Sequence, residues 1–494
     1  MIPILSGNVA SALPSGYEVA NSCRFNSADS GQVSKSVGSS ATTKYTLSLW
    51  VKRGLITNGT GNGQRFFTST GGSGLGDTYF RFNTDDTIEI SGHGSSATAG
   101  GYVITNRLFR DPSAWMHIVI RYDSTESSAN DRFRLYINGV DERTGGGYST
   151  STMPNSSVAD NITASGNTIR IGAMASGQYF DGYIAEVHFS EGQSYAPTEF
   201  GEYDEDSPTI WKPKKANISY GTSGFHLDFE DSSNMGNDAN GGTDFTETNI
   251  DATDQATDTC TNNFCTLNPL WRSAFDNDGS MSQGNCKGTF TSANSDRGYL
   301  MTTMGVTSGK WYWEAKVIDK TRMYIGIAKS SIMEVDEPFY DETTYNAVAI
   351  NNSGEVYGRY TGSAIDQFNT SVSTADNDIL GFALDMDNKA LYIHKNGTYM
   401  NSGSPTSGSS RTGCLIDELT ASRDLYIPDN EFIFPFMHDP STSGQLDIEF
   451  NFGGCPAFSI SSGNADGNGY GNFEYAVPSS YFSLNTKNLA EYGG

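Results

Sequence analysis

The sequence predicts an all-β protein of two antiparallel β-sandwiches joined by a long connector, on three observations. The chain has 55 glycines, is dense in Ser, Thr and Asn, and carries only 18% charged residues. That composition favours short strands and many turns, because amphipathic helices need Glu, Lys, Leu and Ala at a 3.6-residue period. Period-two alternation recurs instead. In 310–317, Trp311, Trp313, Ala315 and Val317 share one face and Tyr312, Glu314 and Lys316 the other, as expected of a strand with one buried side. Finally, 494 residues exceed what one core organises, and at roughly 100–200 residues per domain two large units plus connectors are expected.

Residues 1–20 read as an N-terminal anchoring arm. Its opening, Met1-Ile2-Pro3-Ile4-Leu5-Ser6-Gly7, has no basic segment and an apolar run too short for a signal peptide or membrane span, so synthesis and retention in a cytoplasm are expected. The first sandwich covers 21–209. Tyr45, Leu47, Leu49 and Val51 alternate with Thr46, Ser48, Trp50 and Lys52, and further strands are read at 115–122, 133–137 turning at Asn138-Gly139, 168–173 and 183–189. Gly, Ser and Asn loops separate them, the punctuation of a sandwich. This order of strands, with Leu135-Tyr136-Ile137-Asn138-Gly139 and Phe180-Asp181-Gly182-Tyr183 among its motifs, resembles the laminin-G-like, concanavalin A-like jelly rolls.

Residues 210–270 change to acidic and small polar text, such as Glu230-Asp231-Ser232-Ser233 and Asp251-Ala252-Thr253-Asp254. Such a stretch reads as a connector that drapes over a neighbour or holds a spacing, with Phe225, Leu227 and Phe229 adding one strand before it begins. Asn263-Phe264-Cys265-Thr266-Leu267-Asn268 is faintly echoed by Tyr481-Phe482-Ser483-Leu484-Asn485. Both are read as apolar hooks onto a sandwich edge.

The second sandwich covers 271–455, and 456–494 is expected to pack upon it. Two apolar runs in 380–393 flank Asp387-Asn388, and the return strand ends in Asn396-Gly397, a hairpin followed by another tight turn. With Lys310-Trp311-Tyr312-Trp313-Glu314, Tyr324-Ile325-Gly326-Ile327-Ala328 and Leu446-Asp447-Ile448-Glu449-Phe450 in order, this half resembles a SPRY domain. The resemblance implies recognition without chemistry.

Net charge and cysteine usage narrow the classes. A formal charge of −26 and a pI near 4.5 repel nucleic-acid phosphate and anionic lipid, so neither nucleic acid nor a membrane is expected as partner. Cys23, Cys260, Cys265, Cys286, Cys414 and Cys455 are too sparse for a disulfide framework and lack a Cys-X2-Cys pair, so they read as buried free thiols, with Cys260 and Cys265 near enough in sequence for a local bridge in an oxidising medium. Sequons such as Asn58-Gly59-Thr60 are turn sequence only.

No catalytic constellation is expected. Retaining glucanases of the jelly-roll superfamily carry Glu-X-Asp-X-Glu on one strand. The nearest text here is Gln445-Leu446-Asp447-Ile448-Glu449, where an amide stands in place of one carboxylate of the required pair, about 5 Å apart. No Gly-X-Ser-X-Gly elbow joins a triad. His93, His117, His188, His226, His394 and His438 show no linear metal-ligand spacing, so no metal site is assigned. No cofactor is expected beyond, at most, a weak structural calcium at the acidic loops 123–131 and 228–231 or at Asp276-Asn277-Asp278-Gly279, whose twelfth position is Lys287 in place of the bidentate Glu.

Loop aromatics are the natural recognition surface, since they offer contact area at low entropic cost. The candidate binding residues are Phe339, Tyr340, Tyr345, Tyr357 and Tyr360. Over its whole length, with the arm Ile2-Pro3-Ile4-Leu5 and the closing Leu484-Asn485-Thr486-Lys487, the chain resembles virion-associated proteins of marine tailed bacteriophages. That resemblance implies a non-enzymatic structural protein on the particle surface, either a capsid fibre or decoration or a tail-associated adhesin. Its partners would be other virion proteins and a host-surface glycan or protein, with a homotrimer favoured because multivalency strengthens weak contacts. The competing class is a free-standing glycan-binding or glycan-degrading concanavalin A-like protein.

Overall fold

The computed structural model describes residues 4–5, 16–56, 63–71, 77–93, 100–175, 177–272, 279–291, 298–321, 323–330, 332, 347–358, 366–416, 431–439 and 445–493. The chain forms two compact units, Pro14–Thr261 and Asn262–Gly494, the latter joined by Met1–Leu13. Both are antiparallel sandwiches, so the all-β expectation holds. No helix among the described residues is long and apolar enough to cross a membrane.

In the first unit, one sheet runs Val140–Asp141, Phe133–Ile137, Met116–Asp123, Lys44–Arg53, Gly182–Glu191, Ser22–Phe25 and Gln255–Ala256. The facing sheet runs Tyr148–Thr152, Tyr102–Thr105, Ile88–Ser91, Thr78–Phe82, Gln64–Gly71, Asn167–Ile171, Gln32–Ser36 and Thr246–Thr248. Between them lie Tyr45, Leu47, Leu49 and Val51, with Phe67, Phe80, Ile120 and Phe189. The alternating partners are not solvated, however. Thr46, Ser48, Trp50 and Lys52 are buried too, because the following chain covers this outer face. Trp211 donates its indole N–H to His117 Nδ1 at 2.9 Å, and His117 stacks on Trp50 at 4.8 Å.

Residues 210–261 lie within the first unit and drape over it, one of the two arrangements expected of a connector. Phe225–Leu227 pairs with residues 187–189, Thr246–Thr248 with residues 32–34, and Gln255–Ala256 with Cys23 and Ser22. The reason is a set of isolated apolar pegs in polar text. Phe225, Leu227, Phe229, Met235, Phe245 and Ile250 all enter the first core, and each ties down a few polar neighbours. The pairing closes on a buried ion pair, Lys52 Nζ to Asp258 Oδ2 at 2.7 Å, whose carboxylate also accepts from the Trp115 indole.

In the second unit, one sheet runs Leu267–Arg272, Gly298–Thr302, Ile433–Asp439, Tyr324–Lys329, Ala347–Asn351, Glu355–Gly358 and Asp366–Asn369. The other runs Ser280–Ser282, Lys287–Phe290, Leu446–Asn451, Lys310–Asp319, Ile379–Asp385, Ala390–Lys395 and Thr398–Tyr399. Trp311, Trp313, Ala315 and Val317 enter the core, and Trp313 stacks on Phe382 at 5.2 Å. Asn396 and Gly397 take φ of 49° and 84°, the left-handed pair that a two-residue hairpin requires. At Gly381 a Cβ would lie 1.9 Å from His394 Nε2, so glycine here makes room for a neighbouring side chain.

Here too the one-sided expectation fails: Tyr312 and Glu314 are fully buried. Phe482–Ser483 pairs in parallel with Trp311 and Tyr312, and Phe473 packs edge-on to Tyr312 at 5.1 Å. The two echoed hooks hold each other, with the Cys265 N–H donating to Leu484 O and the Thr486 N–H to Asn263 O, each at 2.9 Å. The arm does not act as a single piece. Ile4–Leu5 pairs in parallel with Met304–Gly305 of the second unit, while the Val19 N–H donates to Thr261 Oγ1 at 3.2 Å in the first. All six cysteines are free thiols.

Candidate functional site

A buried polar cluster of the first sandwich sits on Gly182–Glu191. Between Ala185 and His188 the register against Lys44–Arg53 shifts by a β-bulge, and Glu186 takes φ of 50°, a left-handed conformation uncommon for glutamate. Bulges re-aim side chains. Here the carboxylate swings beneath two imidazoles, with Glu186 Oε2 3.1 Å from His188 Nε2 and 3.3 Å from His226 Nε2. His188 and His226 are directly opposed across neighbouring strands, and their rings stack at 4.1 Å. Tyr17 donates its hydroxyl to the same Oε2 at 3.2 Å, and Tyr220 Oη lies 2.8 Å from His188 Nδ1.

Electrostatics fix the charge state. Burial alone would raise the Glu186 carboxyl, but the hydrogen bonds from His188 and His226 outweigh it and hold the group at about 2. Burial lowers His188, so an ionised carboxylate faces a neutral imidazole at neutral pH. The donor atoms of Glu186, His188 and His226 lie within 4.8 Å of one another, a grouping not assigned from the sequence. Linear spacing could not find it, because residues 188 and 226 meet only through the register of a strand that the sequence placed at the edge of a connector.

The second sandwich carries a comparable buried carboxylate. Glu314 accepts from the backbone N–H of Tyr475 at 2.8 Å and of Glu474 at 3.0 Å, from Asn451 Nδ2 at 3.1 Å and from the Tyr312 hydroxyl at 3.0 Å. Burial nonetheless raises its pKa. Tyr312 Oη lies 2.8 Å from His394 Nε2, while His394 Nδ1 accepts the Gly397 N–H at 3.2 Å. Accepting at Nδ1 assigns the ring proton to Nε2, and burial brings the ring's pKa down to about 4.

Of the five aromatic candidates, Tyr357 lies on the strand Glu355–Gly358. It donates to Glu355 Oε2 at 3.0 Å and packs edge-on to Tyr324 at 5.3 Å. Phe339, Tyr340, Tyr345 and Tyr360 lie outside the described residues. The glucanase-like carboxylates are engaged elsewhere, with Lys287 Nζ 3.1 Å from Asp447 Oδ2 and 3.5 Å from Glu449 Oε1. Thr289 donates to Asp447 as well. Lys287, the residue that breaks the EF-hand pattern, is thus the partner of both acids; Asp276, Asn277 and Asp278 lie outside the described residues. In the acidic loops, Asp123 pairs with Lys44 at 2.9 Å, Asp131 with Arg134 and Arg143, and Asp231 caps Ser233. A cleft of about 360 Å³ in the first sandwich is walled by Lys35, Ser39, Thr222, Ser223, Asn240 and Thr243 with glycines between.

Comparison with known proteins follows the same division. The family model of the concanavalin A-like lectin/glucanases superfamily matches residues 26–193, and that of the SPRY domain matches residues 310–415. No curated protein matches the chain. Among solved structures, the SPRY domain of human HERC1 is 15% identical, with 39% of this chain and 99% of that chain covered and a TM-score of 0.25. A heptameric SAP-like pentraxin from Limulus polyphemus is 14% identical over 36% of this chain and 80% of that chain, with a TM-score of 0.27. The LG1-3 region of the laminin alpha2 chain is 8% identical over 89% of this chain and 64% of that chain, with a TM-score of 0.30. The chain therefore combines a concanavalin A-like, laminin-G-type domain with a SPRY domain in one polypeptide.

Proposed function

We propose that this protein is a non-enzymatic structural component of a tailed-phage particle, exposed on its surface as a capsid fibre, a decoration or a tail-associated adhesin, where it binds a host-surface glycan or protein. The observation that carries the reading is the pairing of two domain types that typically bind without catalysing. Its one glucanase-like pair supports this: Asp447 and Glu449 share the Lys287 ammonium, and the position before them is the amide of Gln445, so nucleophile and acid are not assembled. Other virion proteins are its partners in this reading, and a homotrimer supplies the avidity that weak surface contacts need. The net charge of −26 argues against nucleic acid.

A free-standing glycan-binding protein is the competing reading. Saccharide platforms are commonly aromatic, and the cleft of the first sandwich is lined by Lys35, Val37, hydroxyl and amide side chains and glycines, with no ring among its walls. Gold-labelled antibody against this chain, imaged on purified particles, tests the choice. Label over the capsid means a fibre or decoration, label at the tail means an adhesin, and bare particles overturn the virion reading. Size-exclusion chromatography with light scattering tests the trimer, which a monomer at micromolar concentration would count against.

A further inference from the structure

Glu186, His188 and His226 are the one group of three potential metal-binding side chains, among the described residues, whose donor atoms all lie within 4.8 Å of one another. We propose that this group binds a divalent transition ion of the zinc class through Glu186 Oε2, His188 Nε2 and His226 Nε2, with the fourth position open on the His226 side.

Four features of the geometry carry the assignment. First, a tetrahedral ion with ligand bonds of about 2.0–2.2 Å separates its ligand atoms by about 3.3–3.6 Å. The edges from Oε2 to the two imidazole nitrogens are 3.1 and 3.3 Å, and all three donor atoms lie within 4.8 Å of one another, so an ion is admitted once one of the two stacked rings turns to aim its nitrogen at the common centre. Second, two imidazoles and one carboxylate are a donor set suited to zinc and its neighbours, and too rich in nitrogen for calcium or magnesium. Third, the site has the outer shell that metal-bound histidines require: Tyr220 Oη is 2.8 Å from His188 Nδ1, and Tyr17 holds the carboxylate. Fourth, access is graded. The His226 side chain is 17% exposed while those of Glu186 and His188 are 6% and 4% exposed, so an ion can enter from one side and keep a water there.

The proton balance closes without a co-reactant. In the ion-free cluster, His188 Nε2–H donates to Oε2 and Nδ1 accepts from the Tyr220 hydroxyl. Coordination at Nε2 moves the ring proton of each imidazole to its Nδ1; that of His188 then donates to the Tyr220 oxygen, and both rings stay neutral.

The test is a titration of the full chain, stripped with a chelator, with cobalt(II) and then zinc. The expected result is one cobalt per chain, a visible ligand-field band of low-coordinate cobalt, no thiolate-to-cobalt charge-transfer band, and displacement by one zinc. His226→Gln, which changes the most exposed ligand, should abolish stoichiometric binding. Tyr220→Phe should weaken zinc by about 10–100-fold, the usual loss for an outer-shell partner. Thermal melts confirm that each variant is folded; should His226→Gln unfold, Glu186→Gln, an isostere, takes its place with the same expectation. Folded wild-type protein that takes up no cobalt, a thiolate charge-transfer band, or a folded ligand variant that titrates like wild type would overturn the proposal.

Discussion

Each sandwich buries a glutamate on the outward side of a central strand, and the two are used in opposite ways. Glu186 sits on a bulge and gathers side chains from three separate segments, two imidazoles and the Tyr17 phenol. Glu314 sits in regular register and gathers the backbone of the C-terminal segment, the N–H groups of Glu474 and Tyr475. The first carboxylate is driven down to about 2 by its partners, whereas burial drives the second up. Partners that can themselves exchange protons leave the first cluster chemically adjustable. Backbone partners make the second a fixed anchor.

The comparison can be broken most severely at the anchor. Glu314→Ala should destabilise the second sandwich by about 3–5 kcal/mol, because the two backbone N–H groups and the Asn451 amide lose their acceptor at ~1–3 kcal/mol each where they stay dry. Urea unfolding measures this, and limited proteolysis should cut within 456–493 first. A variant whose C-terminal segment stays protected would show that Glu314 is not its anchor.

Next comes pH. His394 is held at about 4 when folded against about 6.5 when unfolded. Its folded pKa lies below the unfolded one, so the unfolded state binds the extra proton. The stability that His394 contributes is complete above pH 6.5 and declines as pH falls towards 4, by about 3 kcal/mol in all. His394→Gln should flatten that window for the second sandwich, read by calorimetry at stepped pH. An unchanged slope would assign the titration elsewhere.

Glu186→Gln should cost about 2 kcal/mol without added metal, because it trades charge-assisted hydrogen bonds for neutral ones. A cost as large as that of Glu314→Ala would make both clusters anchors and erase the distinction. The smallest effect belongs to Tyr357→Phe, which loses one half-buried hydrogen bond to Glu355 and about 0.5–1 kcal/mol. If host-surface binding is also unchanged in folded Tyr357→Ala, Tyr357 has no part in recognition.

Fold class was legible because strand period and turn chemistry are local. Asn138-Gly139 and Asn396-Gly397 both turn hairpins as read, and Trp311 and Trp313 enter the core as their alternation requires. What stayed illegible is what lies on the outer faces. Tyr312 and Glu314 read as the open face of a strand because their cover comes from distant, irregular chain, Phe473 and Tyr481, as Trp211 and Phe200 cover the outer face of the first sandwich. A peg such as Phe245 in acidic text carries no period to detect. The same holds for the Glu186 cluster, since the opposition of His188 and His226 is a property of register, which no single strand's sequence contains.

The mutual grip of residues 263–265 and 484–486 has a consequence for how such a domain can travel. Its first segment and its late segment 484–486 are hydrogen-bonded neighbours, a few ångströms apart, as adjacent strands must be. A body with that property can be spliced into a surface loop of an unrelated host without prying the loop's ends apart, and it tolerates new ends cut elsewhere once the old ones are joined. The second sandwich is thus closed like a cassette between residues 263 and 486, with Ile4–Leu5 added to it from outside that span.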